Sequence, residues 1–182
     1  MASMTYHQVL SFWFEEIPTS AHFKKDPEFD RLLTERFSST YHRAAQGECF
    51  EWRENAEGRL AEIIVLDQFP RNMFREDPRS FATDPLALVL AQEAVMRKIP
   101  DELPLSQRSF FYMPYMHSES KIVHGEAVKL FSEPGFEGSL KFELKHKAII
   151  DQFGRYPHRN KILGRESTPE ELAFLAQPGS SF

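Results

Sequence analysis

With 182 residues, of which 41% are apolar and 13% aromatic, the chain is long enough for one sizeable core and too apolar to be disordered. A formal charge of −5 and a pI near 5.8 argue against a nucleic-acid partner, because no long basic block offsets the acidic balance. The single cysteine, Cys49, excludes an intrachain disulfide and fits a reducing compartment.

The stretch Met1-Ala-Ser-Met-Thr-Tyr-His has no basic leader region, and it runs into Phe12-Trp13-Phe14, where Val9, Leu10, Trp13 and Phe14 predict a short amphipathic helix ending near Ile17-Pro18. Asp26-Pro27 is an N-cap and first-turn proline, and Phe29, Leu32, Leu33, Phe37 and Tyr41 carry a longer helix to about Gly47. A third helix is expected from Ala56 to Phe69, with Leu60, Ile63 and Ile64 inward, until Pro70 disturbs it. Asp84-Pro85 repeats the cap signal for a helix through Leu88, Ala91, Val95 and Met96. Ser106 caps a segment through Phe110 and Phe111 that Pro114 breaks or kinks.

Ile122, Val123, Ala127, Leu130 and Phe131 mark the next helix, for which Ser118 is a candidate cap. Ser139 begins one through Phe142, Ile149, Ile150 and Phe153 that stops at Gly154. Thr168-Pro169-Glu170-Glu171 supplies a capping box for a closing helix through Leu172, Phe174 and Leu175. Hairpin signals and fixed-period repeats are absent, so residues 1–182 read as one all-α domain of about seven to nine helices. Nothing approaches about 18 consecutive apolar residues, so no membrane span is expected and the chain reads as cytoplasmic.

Candidate functional residues are polar side chains where a stripe demands apolar ones. Asp67 follows Ile63 and Ile64 on their face, which turns a carboxylate inward, with Arg71 one helical turn on as its nearest cation. His146 lies on the stripe of Phe142, Ile149 and Ile150, and its helix runs into Phe153-Gly-Arg-Tyr-Pro-His-Arg-Asn160, a loop anchored by aromatics rather than a flexible linker. His117 and Glu119 follow the break at Pro114. Arg71, Arg155, Arg159 and Arg165, with Asn72 and Asn160, suit a carboxylate or phosphate, because a guanidinium fork matches such groups bidentately; they also suit helix C-termini and loop carbonyls.

His117, Glu119, His146, His158 and Asp67 include enough ligand types for a metal, but no HExxH or Cys/His spacing occurs and the arginines would repel a cation, so none is expected. Neither is a cofactor: the dinucleotide fingerprint, the Walker loop and the Gly-x-Ser-x-Gly elbow are all missing. Cys49 has no histidine beside it in sequence and reads as structural.

Phe12-Trp13-Phe14, Leu66-Asp-Gln-Phe-Pro-Arg-Asn72, Phe81-Ala-Thr-Asp-Pro85, Tyr112-Met-Pro-Tyr-Met-His-Ser-Glu119, Phe153 to Asn160 and Leu163-Gly-Arg-Glu-Ser-Thr168 make the chain similar, over nearly its whole length, to the bacterial domain of unknown function 924 family. The resemblance implies an all-helical fold of the tetratricopeptide-like superfamily, and its motif positions include Asp67, Arg71, His117, Glu119, Arg155, His158 and Arg159. It implies no mechanism.

Two functions fit these residues. In one, an inter-helix cleft binds a small anion, with Arg155, Arg159 and Arg71 holding it, supported by Arg165, Asn160 and Glu119. His158, His117 or His146 then serves proton transfer or hydrolysis, and Asp67 orients a neighbour. In the other, the polar cluster is structural and a helical groove binds a protein partner, or the Phe-rich helices bury a homo-oligomer contact.

Overall fold

The computed structural model describes residues 4–182; Met1 to Ser3, part of the stretch read as having no leader, lie outside the described residues. The described residues contain no strand, as the stripes predict, and they form α-helices joined by short turns. By proximity along the trace they divide into two compact units, one of the described residues up to 75 with 79–114 and one of residues 76–78 with 115–182.

The first unit holds α1 (Tyr6–Ser11), α2 (Pro27–Ala45), α3 (Ala56–Asp67), α4 (Phe69–Met73) and α5 (Asp84–Met96). Helix α3 has ten of its twelve residues buried and packs against α1, α2, α4 and α5, so it is covered on all sides. Its one buried charge outside the last turn, Glu62, is met by the Arg53 fork at 2.6 Å through both oxygens. Leu33, Phe37, Leu60, Ile63, Ile64 and Phe69 complete this core.

Several boundaries differ from expectation for local reasons. The opening helix passes into a π-helical turn, Phe12–Glu16, closed by the Ile17 amide donating to the Phe12 carbonyl at 3.3 Å; this register turns Phe12 and Trp13 inward and leaves Phe14 half-buried. Helix α3 stops at Asp67, and α4 restarts with Pro70 inside its first turn, where a missing amide costs nothing. Asp84 is not the cap of α5. That position is Thr83, whose hydroxyl donates to the Leu66 carbonyl at 2.6 Å, which leaves the Asp84 carboxylate for Arg71.

Helix α6 (Leu105–Met116) starts one residue before Ser106 and carries Pro114 without breaking, because only the final turn has to absorb the missing hydrogen bond. The second unit contains α7 (Lys121–Phe131), α8 (Glu137–Phe153) and α9 (Pro169–Leu175). Ser120, not Ser118, caps α7, while Ser118 accepts from the Ser120 amide. Helix α8 begins two residues ahead of Ser139 and ends at Gly154, whose φ of +72° favours glycine. The capping box of α9 forms as its sequence pattern predicts.

Helices α7 and α8 pack together, and Ile149, Ile150 and Tyr156, flanked by Phe153 and Phe174, make the nearby core. Ile122, Phe142, Leu32 and Met96, assigned inward from their stripes, are exposed.

Gly58 sits where α3 meets the turn before it: a methyl there would lie 2.0 Å from the Trp52 carbonyl oxygen, whereas one on Gly125 in α7 meets nothing within 4 Å. Gly125→Ala is therefore expected to stabilise by about 0.5–1 kcal/mol, and Gly58→Ala to reverse the sign and destabilise by roughly 1–3 kcal/mol. Urea denaturation of the two variants checks the contrast.

Candidate functional site: the Tyr156 cluster

The loop between α8 and α9 is built around Tyr156, which is fully buried. Its amide donates to Glu119 Oε1 at 2.7 Å, its carbonyl accepts from Arg165 at 3.1 Å, and its hydroxyl donates to the Met116 carbonyl at 2.5 Å. Gly154, in the left-handed region, turns the chain out of α8 so that Tyr156 can point back under it.

Imidazoles surround this ring. His146, His158 and His124 have centroids 5.9, 5.7 and 6.2 Å from that of Tyr156. The Arg159 guanidinium lies over the ring at 4.7 Å and donates to the His117 carbonyl at 2.9 Å. Phe182 adds a further ring, 5.2 Å from Tyr156, 3.9 Å from His146 and 4.5 Å from His158.

Below them lies a buried pair that the sequence reading passed over. His124 Nδ1 faces Glu143 Oε1 at 2.6 Å, both side chains fully buried. Nε2 sits 2.8 Å from the Ser118 carbonyl and 3.1 Å from the Tyr156 hydroxyl. Stranding one member of such a pair costs about 3–5 kcal/mol. A signal for both was present: His124 precedes Ala127 and Phe131 by three and seven, and Glu143 precedes His146 and Ile150 by the same spacings.

His146 is buried as expected, although Phe142, taken as its stripe neighbour, points outward; what Phe142 offers is its carbonyl, which accepts from His146 Nδ1 at 2.7 Å. Nε2 then carries the lone pair. Burial lowers the His146 pKa to about 4, against the helping effect of that hydrogen bond and reinforced by the charges of His117, His124 and Arg159.

Most of the loop's other polar side chains are committed to one another. The Arg165 fork spans Glu119 at 2.7 and 2.9 Å, and its Nε donates to Asn160 at 2.9 Å. Burial raises the Glu119 pKa, but hydrogen bonds from Arg165 and the Tyr156 amide, with the charges of Arg159 and Arg165, bring it below the usual range. The Arg155 fork spans Glu171 at 2.7 and 2.9 Å, and Asn160 and the Thr168 amide donate to the same carboxylate. Arg155 is the main reason that the Glu171 pKa falls to about 2.

An open depression of about 490 Å³ beside Arg155 is lined by Gln152, Phe153, Thr168, Glu170 and Glu171. Its two carboxylates oppose an anion, and its arginine already serves Glu171, so the chemistry concentrates at Tyr156 instead.

The remaining candidates belong to the first unit. Asp67 is buried, as its stripe position predicts, and accepts from the Gln68 side chain at 2.6 Å. Arg71 reaches the Asp67 carbonyl at 2.6 Å and its carboxylate at only 3.8 Å, while its fork spans Asp84 at 2.8 and 2.9 Å. Asn72 donates to Asp30, which also receives the Arg75 fork. Among the described residues no three His, Cys, Asp or Glu side chains are grouped to hold a metal ion, and no helix is long and apolar enough to cross a membrane.

Fold and site together define an all-helical protein whose second unit encloses an imidazole and phenol cluster with an arginine against its central ring. Residues 9–179 match the family described as bacterial protein of unknown function (DUF924), and the chain belongs to that family. It is similar to the solved structure of ATU0120, a protein of unknown function from Agrobacterium tumefaciens, with 39% sequence identity, a TM-score of 0.89, and coverage of 94% of this chain and 96% of that one. No curated protein matches it.

The low His146 pKa has a sign that can be tested. An unfolded histidine takes its proton near 6.5 and this one near 4, so between those values the unfolded chain binds more protons. Stability is therefore at its full value above pH 6.5 and is lost on acidification by about 1.4 kcal/mol per pH unit. Urea titrations between pH 6.5 and 5, above the range of the depressed carboxylates, are expected to show stability falling on acidification in the native sequence, with His22, whose pKa burial also lowers, adding to the slope, and a flatter fall in His146→Leu.

Proposed function

We propose that the second unit binds a small carboxylate- or phosphate-bearing molecule on the side of the Tyr156 ring where Arg159, His117 and His158 gather. The observation that supports this best is geometric: the Arg159 guanidinium lies over the Tyr156 ring and donates to the His117 carbonyl, with the His146 and His158 rings against the same tyrosine. A guanidinium fixed over a ring is an oriented partner for an anion.

Proton transfer is the extension of this reading. A base works best when its pKa lies near the working pH, and at about 4 His146 is too weak to remove protons at neutrality. Its Nε2 is instead a hydrogen-bond acceptor at neutral pH, and in this reading acid and base work falls to His158 or His117. Arg155, Arg165 and Asn160 support the loop through Glu171 and Glu119 rather than facing the ligand.

Calorimetric titration with inorganic phosphate and with succinate at low ionic strength tests the proposal. The native protein is expected to bind at least one of them, Arg159→Gln to lose about tenfold or more in affinity, and Arg31→Gln, on the exposed face of α2, to match the native protein. Equal binding by the native protein and Arg159→Gln, or none at millimolar anion, overturns it.

A further inference from the structure

We infer that the ligand of the Tyr156 cluster carries a flat aromatic ring, whose place is held in this structure by the side chain of Phe182; the inference rests on the anion-binding reading for the ligand's charged end only. The Phe182 ring meets His146, His158 and Tyr156 at interplanar angles of 60°, 64° and 82°, edge to face with all three. Aromatic pairs favour this arrangement, with the positive edge of one ring against the negative face of another. Three rings thus form a slot that holds a fourth.

Its walls are built whether or not Phe182 is present. Tyr156 is fully buried and tied at its amide, carbonyl and hydroxyl, and His146 is 8% exposed and tied to the Phe142 carbonyl. The occupant is held differently. Phe182 is 54% exposed, and the hydrophobic core around Tyr156 is completed by Phe153 and Phe174 without it. Its segment leaves α9 through a turn with Gly179 at φ +77°, secured by Ser180 donating to the Leu175 carbonyl at 3.1 Å. A ring that is half in water, on a segment fastened by a side-chain hydrogen bond, is displaceable by a free ring that fits the same walls.

The chemistry beside the slot specifies the rest of the ligand. Arg159 lies over the Tyr156 ring that forms one wall and His158 forms another, so two walls carry nitrogen groups suited to a carboxylate or phosphate on the ring. His146 Nε2 offers an acceptor to a ring hydroxyl or N–H. The class is therefore an aryl phosphate or aromatic acid. Phe182 competes with it, and the apparent affinity of the native protein is reduced by the fraction of molecules in which the slot is closed.

Titration of the native protein and of Phe182→Ala with phenyl phosphate, inorganic phosphate and benzyl alcohol, followed by calorimetry and by the histidine ring resonances, separates the possibilities. Phenyl phosphate is expected to bind Phe182→Ala about tenfold more tightly than the native protein and more tightly than inorganic phosphate does, with shifts at His146 and His158. If phenyl phosphate binds both proteins alike, or no better than inorganic phosphate in Phe182→Ala, the ring inference is overturned, although phosphate binding through Arg159 would still stand. If benzyl alcohol binds Phe182→Ala at His146 while inorganic phosphate binds neither protein, the ring inference holds and the anion reading fails.

Discussion

Burying a tyrosine at the turn between two helices obliges the surrounding chain to satisfy an amide, a carbonyl and a hydroxyl away from water, each of which would otherwise cost about 1–3 kcal/mol. At Tyr156 the three groups are met by Glu119, Arg165 and the Met116 carbonyl. These partners come from the segment that ends α6 and leads to α7, and from the far side of the loop, so one residue's hydrogen bonds lock together segments separated by up to forty positions. The imidazoles that line the ring are positioned by the same lock: His124 by its contact with the hydroxyl, and His158 by lying two residues on in a turn that begins at Pro157. The candidate site follows from how one phenol is buried.

The arginines divide by what they touch. Arg53, Arg71, Arg75, Arg155 and Arg165 each close a fork on a carboxylate of their own unit, and those carboxylates, Glu62, Asp84, Asp30, Glu171 and Glu119, sit at helix ends, loops or buried faces where an unmatched charge would be costly. Such pairs hold elements in register and leave little positive potential for a ligand. Arg159 also lies over an aromatic face and donates to a main-chain carbonyl, and its charge acts on Glu119 as well as on His146. Its place against the Tyr156 ring is what makes it the candidate ligand partner.

Much of the fold was legible in the sequence, because caps and prolines are local. The Asp26-Pro27 and Thr168-Pro169-Glu171 signals act through the amides of their own first turns and form as written. Inward polar residues were legible too: Asp67 and His146 are buried where their stripes put them. What failed was one-residue precision in those stripes. Phe142 and Ile122 point outward, while His124 and Glu143, which the stripes did not single out, face each other in the interior. The partners of Arg155 and Arg165 lie 16 and 46 residues away, a distance over which sequence spacing carries no geometric information. Phe182 had no signal at all, because its contacts are with rings brought together by the loop.

The claim on which the site rests is that the buried Tyr156 hydroxyl organises the surrounding imidazoles, and Tyr156→Phe tests it with the least disturbance of shape. The measurement is the unfolding free energy of the variant together with the ring resonances of His124 and His146. The account predicts a loss of about 1–3 kcal/mol, because the Met116 carbonyl would be left buried without its donor, and displaced resonances for both histidines. Native stability with unmoved resonances would contradict it and would make Tyr156 one more packed ring.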